Sequence, residues 1–149
     1  MKRVAGGIAG LLVLAALAWS VIGWLPVQGI EQPAYTVVER RPGYEIRAYA
    51  PMIVAESTHE GSLMGTMNPG FRDVAAYIFG DNAANDKIAM TSPVLHGPVP
   101  EDSAFTTGFV MPSRYTMQDL PEPSRAGVAL REVPERRVAA LSLRGYQTE

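Results

Sequence analysis

The sequence predicts an α+β domain with an antiparallel sheet, carried on a single N-terminal membrane helix. Three observations lead there. Short strand-like runs open and close the chain, and one amphipathic helical stretch interrupts them. The connections are too short for repeated helical crossovers, which a parallel sheet would need. Ahead of these elements, Val4 to Leu25 carries no charged residue.

As a helix that run reaches about 33 Å at about 1.5 Å per residue, enough to cross a hydrocarbon core. Trp19 and Trp24 lie towards its outer end, where indoles sit among headgroups. Ala16-Leu17-Ala18 offers a small-x-small cleavage site, but the apolar run continues well past it, which favours an uncleaved anchor. Lys2 and Arg3 precede the span and no Lys or Arg follows before Arg40. The positive-inside rule then puts residues 1–3 in the cytoplasm and the domain outside it, across an inner or plasma membrane. Residues 26–33 read as a linker and 34–149 as the domain.

The chain has no cysteine, which excludes a lipoprotein anchor, disulfides and thiolate metal sites. Its 13 basic and 15 acidic residues give a net charge of −2. The basic residues are scattered and provide no footprint for nucleic acid.

Tyr35–Glu39 is the first strand, with Arg41-Pro42-Gly43 as its turn. Tyr44–Tyr49 alternates, and Met52–Glu56 resumes after Ala50-Pro51. Asn68 is suited to cap a helix whose first position is Pro69. Phe71, Val74, Ala75 and Ile78 recur at i, i+3, i+4 and i+7, and Gly80 fits the left-handed residue that ends such a helix. Asp81 to Asp86 is a polar turn. Lys87–Thr91 reads as a strand, His96–Ser103 as a loop and Phe105–Met111 as a strand. Val128–Val133 and Val138–Leu143 close the pattern around Pro134-Glu135.

Several of these segments resemble the SOUL haem-binding family. They are Pro33-Ala-Tyr-Thr-Val-Val-Glu39, Tyr44-Glu-Ile-Arg-Ala-Tyr-Ala-Pro51, the helix Phe71–Gly80, Asn85-Asp-Lys-Ile-Ala-Met-Thr-Ser-Pro-Val94 and Leu143-Arg-Gly-Tyr146, in that order. The Tyr-Glu-Ile-Arg and Lys-Ile-x-Met-Thr-x-Pro-Val pieces are the specific ones. The resemblance runs from about Glu31 to the C-terminus. It implies a distorted antiparallel β-barrel, non-covalent haem or tetrapyrrole binding in an apolar cleft beside the first helix, and no enzymatic activity. Two departures follow from it. Ala48 stands where some members place an axial histidine, and alanine cannot ligate iron. The chain stops where the family continues with a second helix and further strands, so an incomplete barrel is expected.

On that reading the site is a surface without a fixed axial histidine. Phe71, Val74, Tyr77 and Ile78, with Met64 and Met67, would form an apolar wall for one face of a macrocycle. Tyr77 and Met67 are the residues expected to face the ligand, while Phe71, Val74 and Ile78 equally suit sealing the helix to the sheet. Arg72 would meet a propionate through charge-assisted hydrogen bonds. Met90 adds a thioether, a soft packing group that also ligates haem iron. His59 and His96 are the available imidazoles, both in segments read as loops. Two other readings stand beside this one: a small-molecule hydrolase using Glu56 and Glu60 as a carboxylate pair with Glu56 as base, and a fragment that binds nothing. No nucleophile–base–orienter set stands out.

Overall fold

In this computed structural model, which describes residues 29–143, strands β1 (Tyr35–Arg41) and β2 (Tyr44–Tyr49) form an antiparallel hairpin. Its turn uses Gly43 at φ +89°, a left-handed value that favours glycine. β3 (Met52–Glu60) follows, then the helix α1 (Leu63–Ile78), β4 (Val94–Pro98), β5 (Ala104–Val110), β6 (Val128–Val133) and β7 (Arg136–Leu141). From Glu31 onward the described chain is one unit. The charge-free run 4–25 lies outside the described residues. Among those described, no helix is long and apolar enough to cross a membrane.

The strands build two antiparallel sheets, one ordered β1-β2-β7 and the other β4-β5-β3-β6. The α+β class with antiparallel pairing is as expected. The closed barrel of the family resemblance is not formed, in keeping with the incomplete barrel expected: among the described residues the two sheets do not join into a closed cylinder. Consecutive strands β6 and β7 fall in different sheets, parted at Pro134-Glu135, and proline cannot donate to a ladder.

Alternation along β3 divides the core in two. Ile53 and Ala55 point to the side where α1 packs, joining Val74, Ala75, Tyr77, Ile78, Phe109 and Leu130. Met52 and Val54 point the other way, into a smaller cluster with Leu95, Val110 and Val133. Val54 and Ala55, neighbours in sequence, are thus both buried, on opposite faces of one sheet.

α1 begins six residues earlier than Asn68-Pro69 suggests. Ser62 is the cap, its Oγ accepting the Gly65 N–H at 3.2 Å. Pro69 therefore lies inside the helix. It removes the N–H that would bond the Gly65 carbonyl, and exposed Gly65 leaves that carbonyl to water. The C-terminus matches expectation: Gly80 has φ +114°, its N–H donates to Tyr77 O, and the Asp81 N–H donates to Ala76 O at 2.9 Å.

Two other segments exchange roles. Lys87–Met90 forms no ladder; it is held by single tertiary bonds, from Ile88 N–H to Ile78 O at 2.9 Å and from the Thr91 hydroxyl to Val110 O at 2.6 Å. Val94–Pro98, half of which reads as loop, is a strand paired with β5. It is an edge strand, and an edge tolerates a terminal proline.

Candidate functional site

At about 100° per residue, Met64, Met67, Phe71, Val74 and Ile78 lie within one quadrant of α1. This single apolar stripe meets two environments. Val74 and Ile78 are 0% and 1% exposed, while Met64, Met67 and Phe71 are 49%, 38% and 39% exposed. The difference comes from the covering loops. Ile88 from the segment after the helix, and Tyr115 and Leu120 from the segment after β5, pack on the C-terminal half of the helix. Phe71 marks the boundary, its ring edge-on to Phe109 at a centroid distance of 5.3 Å. Arg72 follows it, exposed to solvent at the flank of the bare stretch.

Tyr77 does not face outward as expected. It is 1% exposed, and its hydroxyl donates to Pro121 O at 2.9 Å. Burial pushes its phenol up to about 12, so it stays protonated near neutral pH. The helix turns that position towards the sheet, together with Thr66, Gly70 and Asp73. Met90 is exposed but lies next to Thr91 at the Val110 end of β5. Met64 sits at the opposite end, beside Leu63, whose carbonyl accepts from His96. The structure thus leaves Met64, Met67 and Phe71 exposed on one helix face with Arg72 exposed about 100° further round, places Val74, Tyr77 and Ile78 in the core, and leaves Met90 outside the helix.

Neither histidine lies in a loop. His96 is in β4, stacked on Phe105 at 5.6 Å, with Nε2 3.0 Å from the Leu63 carbonyl and Nδ1 2.9 Å from Thr107 Oγ1. A carbonyl only accepts, so Nε2 carries the proton there and both ring nitrogens are engaged. His59 is in β3, with Nε2 2.9 Å from Asp73 Oδ2 and 3.1 Å from Ser57 Oγ.

Ser57, His59 and Asp73 are the functional types that sequence spacing conceals, because a strand and a helix bring them together. They do not make a relay. Hydroxyl and carboxylate both meet the same ring nitrogen, and Ser57 also donates directly to Asp73 at 3.3 Å. A Ser-His-Asp triad needs the acid on one nitrogen and the hydroxyl on the other. Arg125 completes a structural network instead, bonding Asp73 at 3.2 Å and Asp81 at 2.6 Å.

Glu56 is gripped by Arg131, whose Nε and Nη2 donate to its two oxygens at 2.8 Å each. Both of its oxygens are thereby engaged by one guanidinium. Glu60 is four residues along the strand, about 13 Å away at about 3.3 Å per residue, too far to pair with it.

Glu56 and Arg131 also line an open trough of about 560 Å³ on the sheet face turned away from α1. Val54, Leu95 and Gly97 belong to its wall, and Arg136 joins from β7. A smaller, mostly apolar cavity of about 170 Å³ shares Leu95 and Arg136 with it. Sequence reading missed this trough because its residues come from five strands. Helix residues line neither cavity.

Residues 30–149 match the family described as SOUL heme-binding protein. Heme-binding protein 2 of Mus musculus is 30% identical over 133 residues, covering 81% of this chain and 63% of that protein. Heme-binding protein 2 of Homo sapiens is 31% identical over 132 residues, again covering 81% and 63%. The chain therefore spans less than two thirds of the length of these relatives. Its Tyr-Glu-Ile-Arg strand, its amphipathic helix and its Lys-Ile-Ala-Met-Thr segment are those of a chain that belongs to the SOUL heme-binding protein family.

Proposed function

We propose that this domain binds haem or a related tetrapyrrole on the bare half of the α1 stripe, through apolar contact and without a fixed axial histidine. The observation that carries this reading is the exposure of Met64, Met67 and Phe71 on one helix face whose continuation is fully buried. Three large apolar side chains side by side on a surface are a recognition feature more than an accident of composition. They suit the flat, oily face of a porphyrin, and Arg72 beside them suits a propionate. The residues present therefore fit the group. The macrocycle supplies its own iron chemistry when bound; the chain offers a surface, soft thioethers and one cation. Family membership and the names of the two relatives support the same ligand class.

The binding is non-enzymatic on this reading, since Glu56 is tied to Arg131 and Ser57 and Asp73 share one histidine nitrogen. Hemin titration of the full chain, followed at the Soret band, tests it. Met67→Glu is expected to weaken binding about tenfold or more, while His59→Gln and His96→Gln leave the spectrum unchanged. Loss of the Soret shift in either histidine variant would overturn the ligand-free mode.

The same reading places the domain outside the cytoplasm, tethered by residues 4–25. In a cell with an outer membrane this compartment is the periplasm, and protease added to sealed spheroplasts should then remove the domain. Full protection until lysis would contradict that topology.

A further inference from the structure

The trough between the sheets has a chemistry of its own. Part of its floor is open at Gly97, while the Val54 side chain fills the place beside Gly108. Gly97 has nothing within 4 Å of where a Cβ would stand, and at Gly108 a Cβ would come within 2.7 Å of Val54 Cγ1. Register places Gly108 opposite both Glu56 and Leu95 on its two neighbouring strands, so the lining of the trough spans three adjacent strands.

Three charged side chains line the trough: Glu56, Arg131 and Arg136. Glu56 and Arg131 neutralise one another through two hydrogen bonds. Among the described residues Arg136 makes no ion pair, and it is the charged residue lining the smaller cavity as well. It stands where the two hollows meet, with the apolar side chains of Leu95, Val110 and Val138 nearby. An unmatched guanidinium beside apolar walls complements one negative charge on an aliphatic body.

We propose that this trough is a second binding site, separate from the helix stripe, for a free aliphatic monocarboxylate. The carboxylate pairs with Arg136 and the chain lies over Val54 and Leu95. The Glu56–Arg131 pair closes the polar side and rejects a second charge, because an added anion would meet Glu56.

Octanoate is the probe, added to the full ¹⁵N-labelled chain while the Gly97 and Gly108 amide signals are followed. Saturable shifts at both are expected, with octanol and octylammonium at least tenfold weaker. Arg136→Gln should weaken octanoate at least tenfold, Arg136→Lys should retain most of the affinity, and Gly97→Trp should abolish the remaining Gly108 shift by filling the trough. Met67→Glu, on the helix stripe, should leave them unchanged. Equal response to octanol, an unaltered affinity in Arg136→Gln, or shifts confined to α1 would each overturn the proposal. So would silence of both glycines in a well-dispersed spectrum.

Discussion

The two halves of the α1 stripe are built from the same kind of residue and have opposite fates. Ile78 and Val74 lie under the loops that follow the helix and β5, with essentially no exposure. One and two turns earlier, Phe71, Met67 and Met64 continue the same stripe into solvent. What differs is the cover, not the helix. A stripe longer than its core leaves apolar surface bare, and exposure of that kind is stabilised by a ligand or partner better than by the fold alone.

Truncation separates the halves most sharply. Ile78→Ala should cost about 2–5 kcal/mol of unfolding free energy, the usual range for a buried cavity, with correspondingly early chemical denaturation. Met67→Ala should cost well under 1 kcal/mol, since it leaves no cavity, yet should weaken hemin binding. Equal destabilisation by the two would erase the comparison.

A smaller effect probes how the helix is seated. A Cβ at Gly70 would lie 2.3 Å from Thr107 Oγ1 and 2.7 Å from Thr107 Cβ. Gly70→Ala is therefore expected to destabilise by about 1–3 kcal/mol by pushing α1 off β5, outweighing the helix propensity that alanine brings. A neutral or stabilised Gly70→Ala, measured by denaturant unfolding, would mean that the close approach is not maintained.

Much of the architecture is legible in the sequence because it rests on local signals. Alternation marks Tyr44–Tyr49, the i, i+3, i+4, i+7 spacing marks the second half of α1, and Gly80 marks its end. The first half of α1 was hidden by Pro69, which looks like a helix start until Ser62 is seen to cap one further back. β4 was hidden by Gly97 and Pro98, of which the proline is accepted by an edge strand and not by an inner one. Which residues of the stripe stay bare could not be read from periodicity. That depends on Ile88, Tyr115 and Leu120, which are distant in sequence and decide the coverage. Tyr77 illustrates the same limit, since its partner Pro121 lies 44 residues away.

The central claim is that the bare half of the stripe receives the ligand, and paramagnetic broadening by ferric hemin locates it directly. In ¹⁵N spectra of the full chain, substoichiometric hemin should broaden amides from Met64 to Arg72 first, and leave those of β7, Arg136 to Leu141, sharp. Broadening centred on the inter-sheet trough, or none along α1 at saturating hemin, would contradict the account.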